Sequence, residues 1–225
     1  MSALISVLKE ERLVLISARI FFYGSHTNVE LVGDISAEIN SMWNEPEVIV
    51  QVNAQDFGVR FQIDCMSIPT EDVIQLAVIN RDIRNNFVRI EEQNILERSM
   101  MGYGLGDNAG HWLVTDQLGQ STTAAHEFGH ALGLPHPERV DYRNWGAPPP
   151  IMAPRGTIVD AAFQWDPTAA TGAYGGTMKP IHRRVHTSEI LAILGPFDLN
   201  SALHFQIGRL SNSLFDSVGN KLQLA

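Results

Sequence analysis

The sequence of 225 residues holds a single cysteine, Cys65. One thiol excludes an internal disulfide framework and a cysteine-built zinc site, so any metal must be held by histidine or carboxylate. Basic residues are also scarce, with 16 Lys and Arg against 25 Asp and Glu and a net charge of -9. That balance argues against a nucleic-acid partner, because displacing counterions from phosphates needs a cationic face. No uncharged apolar run reaches the roughly 18 residues that would suggest a membrane span. The apolar stretch from Ala3 is interrupted by Lys9, Glu10, Glu11 and Arg12, so it does not read as a secretory leader either. On the residues alone, a cytoplasmic protein, a chain freed of its leader and the cargo of a secretion machine all stay open.

What is present is globular. Hydrophobic residues make up 44% and charged residues 18%, a composition that folds, at a length suited to one domain or one domain in two lobes. Leu13 to Tyr23 is a β-branched and aromatic run that reads as a central buried strand. Ile35, Ile39, Met42 and Trp43 recur at helical spacing behind Asp34, and Pro46 ends that helix near Asn44. Glu47 to Asn53 and Phe57 to Cys65 are strand candidates, and the alternation in the second turns Cys65 inward as a small hydrophobe. Thr70 to Ile79 reads as a short helix, and Phe87 to Glu91 and His111 to Thr115 as strands. Pro135 to Pro180 is rich in Pro and Gly without a sustained period, an irregular lobe. Helical pattern resumes at Thr187 to Leu194 and again around Ser201 to Phe215. No internal repeat is visible.

Ser121 to Pro137, STTAAHEFGHALGLPHP, carries the chemistry. His126 and His130 stand four apart in a helical stretch, so both imidazoles leave one face about one turn apart and can share a zinc ion. Glu127 follows the first ligand and can reach water at the metal without binding the metal itself. His136 lies too far on to join them if the helix simply continued. Gly133 resolves this, because glycine adopts the left-handed conformation that ends a helix and turns the chain back. In a shuffle of this composition, His126, Glu127, His130, Gly133 and His136 would coincide with a probability below about one in ten thousand.

Other clusters are weaker. Gly102, Gly104 and Gly106 lack the dinucleotide fingerprint and read as a turn before a strand. Asp107 and Asn108 in that loop are candidates for a calcium ion, but one short acidic turn offers few oxygens. His182 and His186 repeat the four-residue spacing, yet Arg183 and Arg184 between them would repel a cation, so a solvated or capping role fits better. His26, His111 and His204 stand alone and read as structural or surface residues.

HEFGHALGLPH resembles the HExxHxxGxxH signature of the metzincins, a clan of zinc endopeptidases whose second mark is a methionine in a tight turn beneath the metal. Pro150-Ile151-Met152-Ala153-Pro154 supplies such a turn, sixteen residues after His136. The resemblance implies an α+β fold: a twisted mixed sheet with a backing helix and an active-site helix, then a smaller irregular and helical C-terminal lobe. It implies one catalytic domain over residues 1–225, with a sheet lobe at 1–136 and a second lobe at 137–225. His126, His130 and His136 are then the zinc ligands, Glu127 the general base and Met152 the turn residue. A protein or peptide substrate is implied, extended in the cleft along the strand just before the zinc helix, with Trp165 and Tyr174 walling the side chain after the cut. Pro154 stands where some members carry a tyrosine, so no oxyanion role follows there. No cysteine stands ahead of the signature in an inhibitory pro-segment motif, so latency by a thiol plugging the metal does not follow. Pro137 is similar to bacterial members.

Two other functions compete with a free-standing endopeptidase. One is a protease toxin or effector acting outside the producing cell, with secretion machinery and a cognate inhibitor as partners. The other is a zinc-containing binding module without turnover, against which the intact Glu127 argues.

Overall fold

The computed structural model describes residues 2–102 and 106–224, so Gly104 of the glycine-rich loop lies outside the described residues. The organising strand is β2 (Leu13–Tyr23). Val14, Ile16, Ala18, Ile20 and Phe22 all point to one side of it and are buried, as the two-residue repeat of a pleated strand requires. Parallel to β2, β4 (Gln55–Ser67) pairs along one edge and β5 (Asn85–Glu91) along the second half of the other. The first half of that other edge is taken by β1 (Ala3–Leu8), antiparallel. Beyond β5 lie β7 (Ala109–Leu113), parallel, and then the two-residue β6 (Met100–Met101), antiparallel to β7. β3 (Ile49–Val52) closes the far side against β4, and β8 (His204–Ile207) pairs with β1. The sheet is mixed and eight-stranded, within an α+β fold.

Helix α1 (Val29–Asn44) backs one face of this sheet. Ile35, Ile39, Met42 and Trp43, the stripe legible in sequence, are all buried. The helix starts five residues before Asp34 because Asn28 caps it, its Oδ1 accepting from the Leu31 N–H at 2.9 Å. Asn40 and Asn44 pin the helix to β4: each exchanges hydrogen bonds with one main-chain residue there, Ile63 and Phe61, at 2.8 to 3.0 Å. Helix α2 (Thr70–Ile79) packs Val73 and Ala77 with Tyr23, Phe87 and Leu214 in a smaller cluster. Phe21 joins that cluster and Phe22 the main core, so the two clusters lie on opposite faces of the sheet.

The helix expected around Ser201 to Phe215 does not form. Those residues give β8 and β9 (Ser213–Phe215), and β9 pairs with β10 (Lys221–Gln223) as a hairpin. The edge of β1 left free by β2 offers a ladder of hydrogen bonds, and Phe205 and Ile207 reach the main core from it, so tertiary pairing overrides the local pattern. The chain after residue 136 therefore returns to the first sheet. Between α3 (Thr123–Ala131) and α4 (Thr187–Leu194) the described chain has only two 3-10 turns, at Ala161–Phe163 and Pro180–His182, the irregular stretch that its Pro and Gly content predicts. Among the described residues no helix is long and apolar enough to cross a membrane.

Candidate metal centre

Helix α3 begins at Thr122, whose φ of 68° is left-handed and whose side chain does not cap the helix. Glu38, reaching over from α1, does so instead. Its Oε2 accepts from the Thr122 N–H at 3.2 Å and its Oε1 from the Ala125 N–H at 3.0 Å. The first turn of a helix leaves its N–H groups unpaired and carries partial positive charge, so a carboxylate there satisfies both needs. Burial pushes the Glu38 pKa up, and the amide bonds work against that rise. Trp43 donates from Nε1 to the Ala125 carbonyl at 3.1 Å and meets Phe128 edge-on. The backing helix thus fixes the helix that carries the histidines.

His126 and His130 leave α3 one turn apart, ring centroids 4.8 Å from each other. The helix ends as the glycine predicts: Gly133 has φ +92°, and the Leu134 N–H turns back to the Gly129 carbonyl at 3.0 Å. That reversal brings His136 to the pair, its Nε2 standing 3.0 Å from Nε2 of His130 and 3.3 Å from Nε2 of His126. The tautomers follow from the carbonyls. His126 Nδ1 lies 2.7 Å from the Ile151 oxygen and His130 Nδ1 lies 2.9 Å from the Leu134 oxygen. A carbonyl only accepts, so both Nδ1 atoms carry the proton and both Nε2 atoms present bare lone pairs. Lone pairs gathered in this way are satisfied by a cation. Two nitrogens on a tetrahedral zinc sit roughly 3.3 Å apart, given bonds of about 2.0–2.1 Å, so the spacing fits. All three residues can hold one metal ion. Burial lowers the pKa of each, to about 4 for His130, which favours the neutral, ligating form.

Glu127 stays out of that cluster. It is buried, its Oε2 has no hydrogen-bond partner, and it lines the same cleft of about 610 Å³ as the three histidines. A buried carboxylate oxygen without a partner, on a residue that lines an open cleft, is poised for a ligand or a proton. Burial raises the Glu127 pKa to about 7, with Arg183 the strongest opposing charge.

Below α3 runs the turn that contains Met152. The Ala153 N–H donates to the Pro150 carbonyl at 3.0 Å, and the Ile151 carbonyl is the one that orients His126. Glu189 of α4 accepts from the N–H groups of Ile151 and Met152 at 3.3 and 3.0 Å, and from that of His186 at 2.9 Å. A carboxylate on α4 therefore holds the turn, and the turn holds the first histidine.

Comparison with known proteins leaves the site to speak for itself. No family model matches the sequence, and no curated protein or solved structure matches it.

Several expectations change on contact with the geometry. Trp165 and Tyr174 are exposed and do not line the cleft. Its walls are Leu96, Arg98, Pro154 and Arg155, with Arg183 on the floor. β7, the strand just before α3, is paired on both edges, and the cleft is bordered by β6 instead. The calcium candidate is already neutralised: the Asp107 carboxylate accepts from Lys221 Nζ and Ser211 Oγ, both at 2.8 Å, and Asn108 accepts from the Ser211 N–H at 2.9 Å. His186 occupies the N-cap position of α4 and its Nε2 meets the Pro148 carbonyl at 3.0 Å, while His182 packs on Phe163. Neither joins the three. Cys65 is half-buried against the core, and burial pushes its thiol up to about 12.

Sequence reasoning missed Glu38, Glu189 and Arg183. The first two sit on helices far from the signature in sequence, and nothing in their own neighbourhoods marks them as supports. Arg183 was visible only as a charge that would repel a metal from His182 and His186.

Proposed function

We propose that the chain is a zinc-dependent endopeptidase of metzincin type, hydrolysing peptide bonds in an extended protein or peptide substrate. The observation that carries this reading is the convergence of three imidazole nitrogens, two of them held with the lone pair toward the others, beside a buried carboxylate on a residue that lines the same open cleft. A purely structural metal site is closed by protein ligands, whereas three ligands in a cleft leave a position for water and substrate. Bound there, zinc would supply Lewis-acid polarisation of water and of the scissile carbonyl.

The chain's own groups account for the remaining work. His126, His130 and His136 are the ligands, the first two fixed in orientation by main-chain carbonyls. Glu127 takes the proton of the attacking water on its free oxygen and returns it to the leaving amine. Substrate main chain pairs along β6, which has a partner strand on one edge only among the described residues and borders the cleft. Met152 packs under the ligand helix and keeps the floor of the site in place.

The test is Glu127→Ala on purified protein, with metal content and cleavage of an unfolded protein measured on one sample. The proposal expects one zinc per chain in both forms and cleavage only in the parent. Undiminished cleavage by the variant would remove Glu127 from the chemistry.

A further inference from the structure

Given that hydrolytic reading, the charges around the cleft define which substrates it takes. Its walls and floor carry Arg98, Arg155 and Arg183 against two carboxylates, Asp116 and Glu127. The chain as a whole bears a net charge of -9, so a cleft with more cations than anions runs against its composition.

The three arginines differ in how they are matched. Arg155 pairs with Asp116, whose Oδ2 also accepts from the N–H and hydroxyl of Ser99 at 3.0 and 2.7 Å. Arg98 and Arg183 have no carboxylate at ion-pair distance among the described residues. Arg183 is 2% exposed, and its guanidinium donates to neutral acceptors alone, from Nε to Thr122 Oγ1 at 3.0 Å and from Nη1 to the Ala153 carbonyl at 3.3 Å. Burying a guanidinium carries a desolvation cost that neutral acceptors offset less well than an anion of good geometry. The carboxylates that act on it, Glu127 foremost, do so from beyond ion-pair distance, which leaves the fork without an anion in direct contact. Arg98 stands exposed at the rim, where it is the leading charge acting on His136.

Direction follows from the proton path. Glu127 hands its proton to the leaving amine, so the substrate passes over Glu127 on the amine side of the cut. Arg183 lines the same cleft as Glu127 and is tied by its Nε to Thr122, at the start of the helix that carries Glu127. We infer that Arg183 receives a carboxylate carried by the residue that follows the cut, with Arg98 at the rim drawing acidic substrate in. A planar guanidinium binds carboxylate through two parallel N–H bonds, which gives this contact selectivity as well as attraction. The carboxylate can belong to an Asp or Glu side chain or to a free chain end.

Matched peptides test this, carrying Glu, Gln or Ala after the cut, or ending there as free acid or amide. The expected result is a kcat/KM about tenfold or more higher for Glu than for Gln. The acid and amide pair shows whether a chain end serves as well. Arg183→Gln should bring the Glu to Gln ratio close to one, whereas Arg183→Lys, which keeps a charge and is the safer fold, should retain part of it. Arg98→Gln should remove the salt dependence of the rate on acidic peptides. Binding of the same peptides to zinc-loaded Glu127→Ala protein, followed by fluorescence anisotropy, gives a readout that needs no cleavage. Preferential binding of the acidic peptide without turnover in the parent would uphold the anion site and overturn the hydrolytic reading. Equal turnover and equal binding of Glu and Gln peptides would overturn the anion site while leaving hydrolysis intact.

Discussion

Gly129 and Met152 meet so closely that a Cβ on the glycine would overlap the methionine sulfur and press on Trp43. The glycine within HEFGH is thus where the turn beneath the site touches the helix above it. In a helix interior alanine is favoured over glycine by about 1 kcal/mol, so Gly129→Ala would stabilise an unencumbered helix. Overpacking costs about 1–3 kcal/mol, and here the sulfur and the indole are both fixed by the core. We expect Gly129→Ala to lower stability in urea unfolding and to weaken zinc binding, while Met152→Leu costs less than about 1.5 kcal/mol. A stabilised Gly129→Ala protein would show that the contact is soft.

Glu38 is expected to matter although it lies on the backing helix and touches no histidine. Glu38→Ala leaves the N–H groups of Thr122 and Ala125 unpaired inside the protein, a loss of about 1–3 kcal/mol. Thermal unfolding of metal-free protein reads the loss directly. A change below a few tenths of a kcal/mol would mean that water replaces the carboxylate there.

Which histidine completes the proposed metal site separates two readings of the histidines. His136→Ala should weaken zinc binding by orders of magnitude, because it leaves two ligands. The double variant His182→Ala with His186→Ala should keep its zinc and lose about 1 kcal/mol of stability with the bond from the His186 imidazole to the Pro148 carbonyl. Metal content by mass spectrometry under native conditions distinguishes them, and zinc lost from the double variant alone would reverse the assignment.

Asp82 gives a pH dependence away from the metal. Hydrogen bonding to the Arg84 side chain holds its pKa at about 2, below the ordinary 3.8. A depressed carboxylate pKa contributes stability that is fully present above the unfolded value and is lost as pH falls from about 4 to about 2. The group is largely solvated, so the contribution is discounted to about 1 kcal/mol or less. Asp82→Asn should flatten the stability curve over that window, costing up to about 1 kcal/mol at pH 6 and little at pH 2. Equal acid sensitivity in both proteins would place the titrating group elsewhere.

How much of this was legible in the sequence depends on whether the deciding interaction is local. The reversal at Gly133 was legible because a glycine between two histidine positions needs only its own backbone freedom. The stripe Ile35, Ile39, Met42 and Trp43 was legible because helical spacing alone selects one face. The start of α1 was not, since Asn28 reads equally well as a turn residue and as a cap. β8 was illegible for a different reason: its strand conformation is imposed by the free edge of β1, some two hundred residues earlier in the chain. The same holds in the site. The histidines and Glu127 share one short segment, whereas Glu38, Glu189 and Arg183 act through contacts between elements distant in sequence, and no spacing rule reveals those.

The most direct test of the central claim is a titration of metal-free protein with zinc while cleavage of an unfolded protein is recorded. The account predicts no cleavage at the start, a linear rise and a break at one zinc per chain, with Glu127→Ala binding the same single zinc and never cleaving. Cleavage by metal-free protein, or a parent that fills with one zinc and hydrolyses nothing, would contradict it.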